Sequence, residues 1–158
     1  MKNISIKSAT EEHSKAIWEW RNDATTRAMS LNQDLVSWEN HQKWYKRVLI
    51  NKDRHLYVGY TDDILFGMVR FDKCENQDHA YEVSINLDPQ QRGKGLGKLL
   101  LPKAIECFWN QVADASLILA EIKRENVASK KAFENAGFEE QAASATLYEF
   151  SLSRKRST

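Results

Sequence analysis

Cysteine, proline and net charge are all scarce in this chain. Among 158 residues there are two cysteines and two prolines, and 23 Lys and Arg against 22 Asp and Glu leave a formal charge of +1. Cys74 and Cys107 stand far apart, which excludes a disulfide framework and a cysteine-based metal motif. Without a charge excess no global field gathers nucleic acid or an anionic membrane. No apolar run approaches the ~20 residues that span a bilayer, and the opening MKNISIKSAT has no signal-peptide core. These absences lead us to expect a cytoplasmic protein with reduced thiols, no metal, and neither nucleic acid nor membrane as partner. The length suits one domain that buries about 70% of its unfolded surface. We assign residues 1–152 to it and SRKRST (153–158) to a disordered basic tail.

What the chain does have is a legible order of elements. Ile4–Ala9 reads as a strand, followed by a helix capped at Thr10 and reaching about Ala24, with Ala16, Ile17, Trp20 and Ala24 on one face and Trp18 off it. Ser37 caps a second helix to about Asn51. HLYVGYT and LFGMVRF flank Asp62-Asp63 as a hairpin. Tyr81–Leu87 alternates, with Glu82, Ser84 and Asn86 on its polar side, and Asp88-Pro89 stops it. A third helix to about Val112 contains Pro102, expected to bend it near Lys98. A strand over Leu117–Ile122, a helix over Val127–Ala136 closed by Gly137, and a strand pair over Phe138–Ala142 and Thr146–Leu152 complete the order. It predicts an α/β (α+β) domain, a mixed and mostly antiparallel sheet with helices on both faces.

Three of the six glycines fall in QQRGKGLGKLLL, residues 90–101. A glycine inside a helix costs roughly 1 kcal/mol relative to alanine, so glycines at a helix mouth point to backbone used for contact. Free N–H groups there, with Arg92, Lys94 and Lys98 nearby, suit an anion. The P-loop and dinucleotide fingerprints both fail on spacing, since the pattern is G-x-G-x-G. A glycine turn with solvated lysines is the plainer alternative.

Gln90–Gly97 resembles the acetyl-CoA signature Q/R-x-x-G-x-G/A of the GNAT N-acetyltransferase superfamily, and Asn126-Val127-Ala128-Ser129 through Gly137-Phe138 is similar to its N-x-x-[AS]…GF block. The resemblance covers nearly the whole chain. It implies the GNAT fold with splayed fourth and fifth strands, and acetyl-CoA as cosubstrate with coenzyme A as product. Main-chain groups of Gln91, Arg92, Gly93, Lys94, Gly95, Leu96 and Gly97 would hold the pyrophosphate, and those of Ile85, Asn86 and Leu87 the pantetheine arm. Asn126 and Ser129 would stand at its thioester end, with Lys130 or Lys131 near the nucleotide phosphates. Asn126 is equally suited to cap a helix.

Acetylating an amine requires that an ammonium of pKa near 10 lose a proton. Glu82, at the polar start of an apolar strand, is the candidate base; its alternative is a carboxylate paired with Arg70, and His79 is a weaker candidate. Many family members have a tyrosine acid seven places after the motif asparagine, where this chain has Phe133. Ser129 is the nearest hydroxyl to replace it, Tyr148 a more distant one. For the acceptor, Trp18 with Arg21, Asn22, Arg27 and His41 are candidates to stack on a ring and hold anionic oxygens, although His41 suits a buried packing role as well. WEWRND…SWENHQKWY also resembles the nucleotide-sugar branch, which acylates a UDP-linked 4-amino-dideoxy sugar, and overlaps with the ribosomal-protein N-terminal branch. The expected partner is a small-molecule amine, a homodimer being compatible. Peptide N-termini or small amines are alternative acceptors, and Phe133 leaves room for a CoA sensor without turnover.

Overall fold

Seven strands form a single sheet: β1 (Ile4–Ser8), β2 (Arg54–Thr61), β3 (Ile64–Lys73), β4 (Ala80–Leu87), β5 (Leu117–Lys123), β6 (Glu139–Ala143) and β7 (Leu147–Ser153). This is the arrangement in the computed structural model, which describes residues 3–155. The strand order is β1-β2-β3-β4-β5-β7-β6, and every pairing is antiparallel except β4 with β5. Asp62 and Asp63 both take positive φ, as a tight two-residue hairpin between β2 and β3 requires. A bulge at Gly59/Tyr60 shifts the register, so Gly59 faces Gly67 while Tyr60 faces Leu65.

The helices are α1 (Ser14–Asn22), α2 (Ala24–Met29), α3 (Trp38–Ile50), α4 (Leu96–Gln111) and α5 (Val127–Asn135). The single N-terminal helix expected from periodicity is two. Asp23 adopts an extended ψ of 137° and uses its carboxylate to cap α2 through the Thr26 N–H, a local bond that competes with helix continuation. Ser37 caps α3 as read from sequence, and Gly137 (φ 97°) follows α5. Pro102 has no N–H for the Lys98 carbonyl, yet α4 runs unbroken from Leu96 to Gln111.

Apolar side chains divide between the two faces. α4 and α5 cover one, where Leu96, Leu100 and Phe108 pack on Phe66, Val69 and Phe71. There Phe71 and Phe108 stack with centroids 4.2 Å apart. A Cβ at Gly59 or Gly67 would meet a Leu100 methyl at 2.6 or 2.9 Å, so bare backbone lets α4 sit this low on the sheet. On the other face, Ile17 and Trp20 of α1 and Tyr45 and Val48 of α3 pack on Leu56, Val58 and Met68.

Ser153 and Arg154, expected in a disordered tail, are held in the fold. Ser153 belongs to β7, and the Arg154 guanidinium donates to the carbonyls of Trp109 and Val112 (2.8 and 2.7 Å) while lying over the Trp109 ring. Residues 156–158 lie outside the described residues. Among the described residues no helix is long and apolar enough to cross a membrane.

Candidate active site

The parallel pairing of β4 with β5 lasts for three residue pairs, Ala80–Leu117, Tyr81–Ile118 and Glu82–Leu119. Both strands then continue, β4 to Leu87 and β5 to Lys123, without a shared register. A wedge opens beyond Glu82. Along Val83–Leu87, the backbone groups turned away from β3 have no strand partner, an edge on which an extended chain can lie. Ile85, Asn86 and Leu87, expected to meet a pantetheine arm, line that edge half-buried.

The loop after β4 supplies N–H donors where the wedge is widest. Asp88 caps the turn that follows it by accepting from the Gln90 N–H. The Gln91 amide is also committed, donating to the Asp88 carbonyl at 2.9 Å. Free donors therefore begin one residue later than expected, and the amides of Arg92, Gly93 and Gly95 have no partner among the described residues. Gly93 and Gly95 take φ of 78° and 73°, Gly95 being the residue that opens α4, and a Cβ on either would meet nothing within 4 Å. The glycines thus serve backbone conformation and open approach rather than tight packing. Gly97 lies within α4 beside Leu87, and Leu96 is buried under the helix. Lys94 Nζ donates to Gln91 Oε1 at 3.0 Å. This open anion cradle, continuous with the β4 edge, fits a diphosphate followed by an extended arm.

Glu82 stands at the apex of the wedge as the last paired residue of β4. Asp72 of β3 is its direct cross-strand partner, and Glu121 lies two residues along β5 from Leu119. The Glu82 side chain keeps solvent contact, but its carboxyl is pushed above the ordinary value, first by partial desolvation and then by the charges of Glu121 and Asp72, with Arg70 pulling the other way. Arg70 itself is bound by Asp72 at 2.9 Å, so it does not neutralise Glu82 as an edge pair. A carboxyl lifted in this way at a cleft apex suits proton removal from an amine. His79 instead sits in a positive-φ turn, its carbonyl accepting from Ser116 and Leu117.

Asn126 caps α5, its Oδ1 accepting the Ser129 N–H at 3.2 Å, which leaves its amide NH2 for another partner. The Ser129 hydroxyl is half-buried and unbonded among the described residues. Phe133 is 2% exposed and meets Phe138 edge to face at 4.9 Å. Lys130 Nζ lies over the Tyr148 ring, with Arg124 at the same ring.

The acceptor candidates divide. Trp18 Nε1 and Asn22 Nδ2 both donate to the Val36 carbonyl at 2.7 Å, and the Val36 N–H returns to Asn22 Oδ1 at 2.9 Å. Arg27 donates from Nε to the Asn22 carbonyl and from an Nη to the Gln33 carbonyl. These three polar groups hold the segment 30–37 against α1. His41 is fully buried, its Nε2 2.9 Å from the Ser14 carbonyl, and burial lowers its pKa; of its two readings the structure selects packing. Only Arg21 remains uncommitted. It lies over Trp44, 5.2 Å from the ring centroid, and Arg70 lies at the same distance from that ring. Sequence reading missed Trp44, Asp72 and Glu121 as parts of this face, because their meeting depends on the β3–β4 register and the helix crossing.

α2 ties the two halves of the site together. The Arg92 guanidinium reaches Asp23 Oδ2 at 3.0 Å and bonds the Thr26 hydroxyl, so this charge is spent within the protein while its amide faces the loop. Although desolvation opposes it, the Thr26 N–H and Arg92 hold the Asp23 carboxyl below its ordinary value. At the other end of α2, Lys123 Nζ donates to the Ala28 carbonyl at 3.0 Å.

Residues 3–139 match the family model described as the acetyltransferase (GNAT) domain. No curated protein matches the sequence. Among solved structures the chain is similar to a spermidine N-acetyltransferase from Vibrio cholerae in complex with CoA and spermine, at 14% identity and TM-score 0.85 over 95% of each chain. It is similar also to aminoglycoside acetyltransferase AAC(6')-Ib in complex with coenzyme A, at 19% identity and TM-score 0.80 over 96% of this chain and 95% of that one. A third is an N-acetyltransferase from Staphylococcus aureus, at 21% identity and TM-score 0.80 over 96% and 98%. At these identities the likeness speaks to the fold.

Proposed function

The chain belongs to the acetyltransferase (GNAT) domain family and is an N-acetyltransferase; from that premise we propose that it moves an acetyl group from acetyl-CoA to a primary amine, preferably the amino group of a nucleotide-linked sugar. The observation that carries the coenzyme assignment is the wedge that opens past Glu82–Leu119 with free amides of Arg92, Gly93 and Gly95 at its mouth. The acceptor assignment is supported by the likeness of WEWRND…SWENHQKWY to the nucleotide-sugar branch. Acetyl-CoA supplies the activated acetyl thioester. Loop amides hold its diphosphate, the free edge of Ile85–Leu87 aligns its arm, and the Asn126 amide NH2 meets the thioester end.

Glu82 takes the proton from the acceptor ammonium, and a β4 amide at the edge faces the acetyl oxygen as charge develops there. The departing thiolate has a pKa near that of cysteine, ~8.5, so it leaves without strong acid assistance. That is consistent with Phe133 in the core at the usual tyrosine place, and Ser129 is the hydroxyl we assign to proton return.

Thiol release measured across UDP-linked 4-amino sugars, peptides with free N-termini, and polyamines tests the reading. Acceptor-dependent release, fastest with the UDP-amino sugar, is expected. Release with peptides or polyamines alone would discard the sugar assignment. Tight CoA binding with no release for any amine would overturn catalysis.

A further inference from the structure

Arg21 is the one acceptor-side candidate whose side chain the protein does not use for its own architecture. It is half-buried on α1 and makes no hydrogen bond or ion pair among the described residues. A guanidinium has five donors and stays charged at all working pH values, and with no protein acceptor among the described residues those of Arg21 are open to an anion. It lies over the Trp44 ring, 5.2 Å from the centroid. Arg70 lies 5.2 Å from the same centroid, so the two guanidiniums are at most twice that distance apart, cations sharing one aromatic platform. Asp72 balances Arg70 at 2.9 Å but has no such bond to Arg21.

The face has a direction. Along β3, Arg70 and Asp72 point the same way; Arg70 is opposite Ser84 on β4, and Asp72 is opposite Glu82. Moving from Arg21 across Trp44 and Arg70 toward the wedge apex, the surface passes from uncompensated positive charge to the carboxylates Asp72, Glu82 and Glu121. We propose that Arg21 and Arg70, both gathered at the Trp44 ring, bind an anionic group of the acceptor, phosphate-like in chemistry, while the acceptor's amine lies at Glu82. The inference rests on the acetyl-transfer reading for which end carries the amine. A fork-shaped guanidinium matches paired anionic oxygens. A polyamine would set a second ammonium against Arg21, so this site selects amines that carry negative charge at a distance from the reacting nitrogen.

Calorimetric titration with UDP and with inorganic pyrophosphate tests this, in protein saturated with CoA so that the loop amides are already filled. Binding is expected for wild type, at least tenfold weaker for Arg21→Gln, and intermediate for Arg21→Lys, which keeps the charge and loses the fork. Acetyl-CoA affinity, measured separately, should be the same in all three and confirms that the variants are folded. Equal UDP and pyrophosphate affinity in wild type and Arg21→Gln, or no binding of either probe to wild type, would overturn the anion site. Loss of acetyl-CoA binding in wild type would instead overturn the transfer reading.

Discussion

The loop that opens α4 and the face formed by α1 and α3 are both rich in candidate binding groups, yet the protein uses them in opposite ways. In the loop the free groups are backbone amides: Gly93 and Gly95 keep positive φ and empty space around them, and the neighbouring charge on Arg92 is turned inward to Asp23. On the α1–α3 face contact falls to side chains, and most of the polar ones are already occupied. Trp18, Asn22 and Arg27 secure the 30–37 segment, and His41 is sealed under Tyr45 and Trp38. A main-chain site is written in its glycines and helix start. A side-chain site has to be separated from the scaffold that the same residue types build.

The largest effect should come from the loop. Gly95→Glu, or Gly93→Glu, places a carboxylate where a diphosphate would approach and should weaken desulfo-CoA binding by roughly a hundredfold or more, a few kcal/mol of repulsion and lost contact. Gly95→Ala, with open space for its Cβ, should show only the strain of a left-handed residue, about 1–2 kcal/mol in the thermal melt. If the alanine and glutamate variants bound equally poorly, backbone strain rather than anion contact would explain the glycines.

Next in size is Glu82→Gln, expected to lower kcat by about a hundredfold near neutral pH with acetyl-CoA affinity unchanged. The loss should shrink as pH rises toward the amine's own pKa and the free base becomes abundant. In wild type the acidic limb of the rate profile should lie above the ordinary carboxylate range, since Glu82 must lose its proton to act and its pKa is raised. For stability the same shift has the opposite sense. A carboxyl whose folded pKa exceeds its unfolded one favours the fold at low pH, and that contribution fades as pH climbs from the unfolded value through the folded one. A rate profile in Glu82→Gln that kept its acidic limb would assign the limb elsewhere.

Asn22→Ala should cost about 1–3 kcal/mol of stability, because it removes two of the three side-chain hydrogen bonds on the Val36 backbone and leaves its N–H unpaired. It should raise acceptor KM without touching acetyl-CoA affinity. An unchanged melt with altered acceptor KM would return Asn22 to direct acceptor contact. The smallest effect belongs to Asp23→Asn, which keeps a capping side chain but removes the ion pair with Arg92, worth up to about 1 kcal/mol. Because the Asp23 pKa is depressed in the fold, the wild-type advantage should be present above the unfolded pKa and vanish as pH falls through the folded one.

The fold was largely legible because each element carried its own local signal. The Asp-Asp turn, the Asp-Pro stop, the alternation in β4 and the Asn126 and Gly137 boundaries of α5 all stand in the structure. The break at Asp23 was hidden, since apolar periodicity continues across it and only the carboxylate's bond to Thr26 interrupts the helix. The backbone geometry of the glycine loop was readable for the same local reason, apart from Gln91, whose amide is consumed by a turn. The catalytic environment was less so. Glu82 could be placed on a strand, but its neighbours Asp72 and Glu121 come from two other strands and are fixed by registers that no short stretch of sequence encodes. Arg21 looked no different from Arg27, and only the completed hydrogen bonds distinguish the free guanidinium from the employed one.

In backbone pairing, only three residue couples join the β1–β4 half of the sheet to the β5–β7 half, and beyond them the halves diverge like the jaws of a clothes-peg. α2, six residues long, is fastened to one jaw through Arg92 and to the other through Lys123, a crossbar between them above the core they share. The mouth of the gap is thus bridged from outside the sheet, by a helix that exists because one aspartate ended the helix before it.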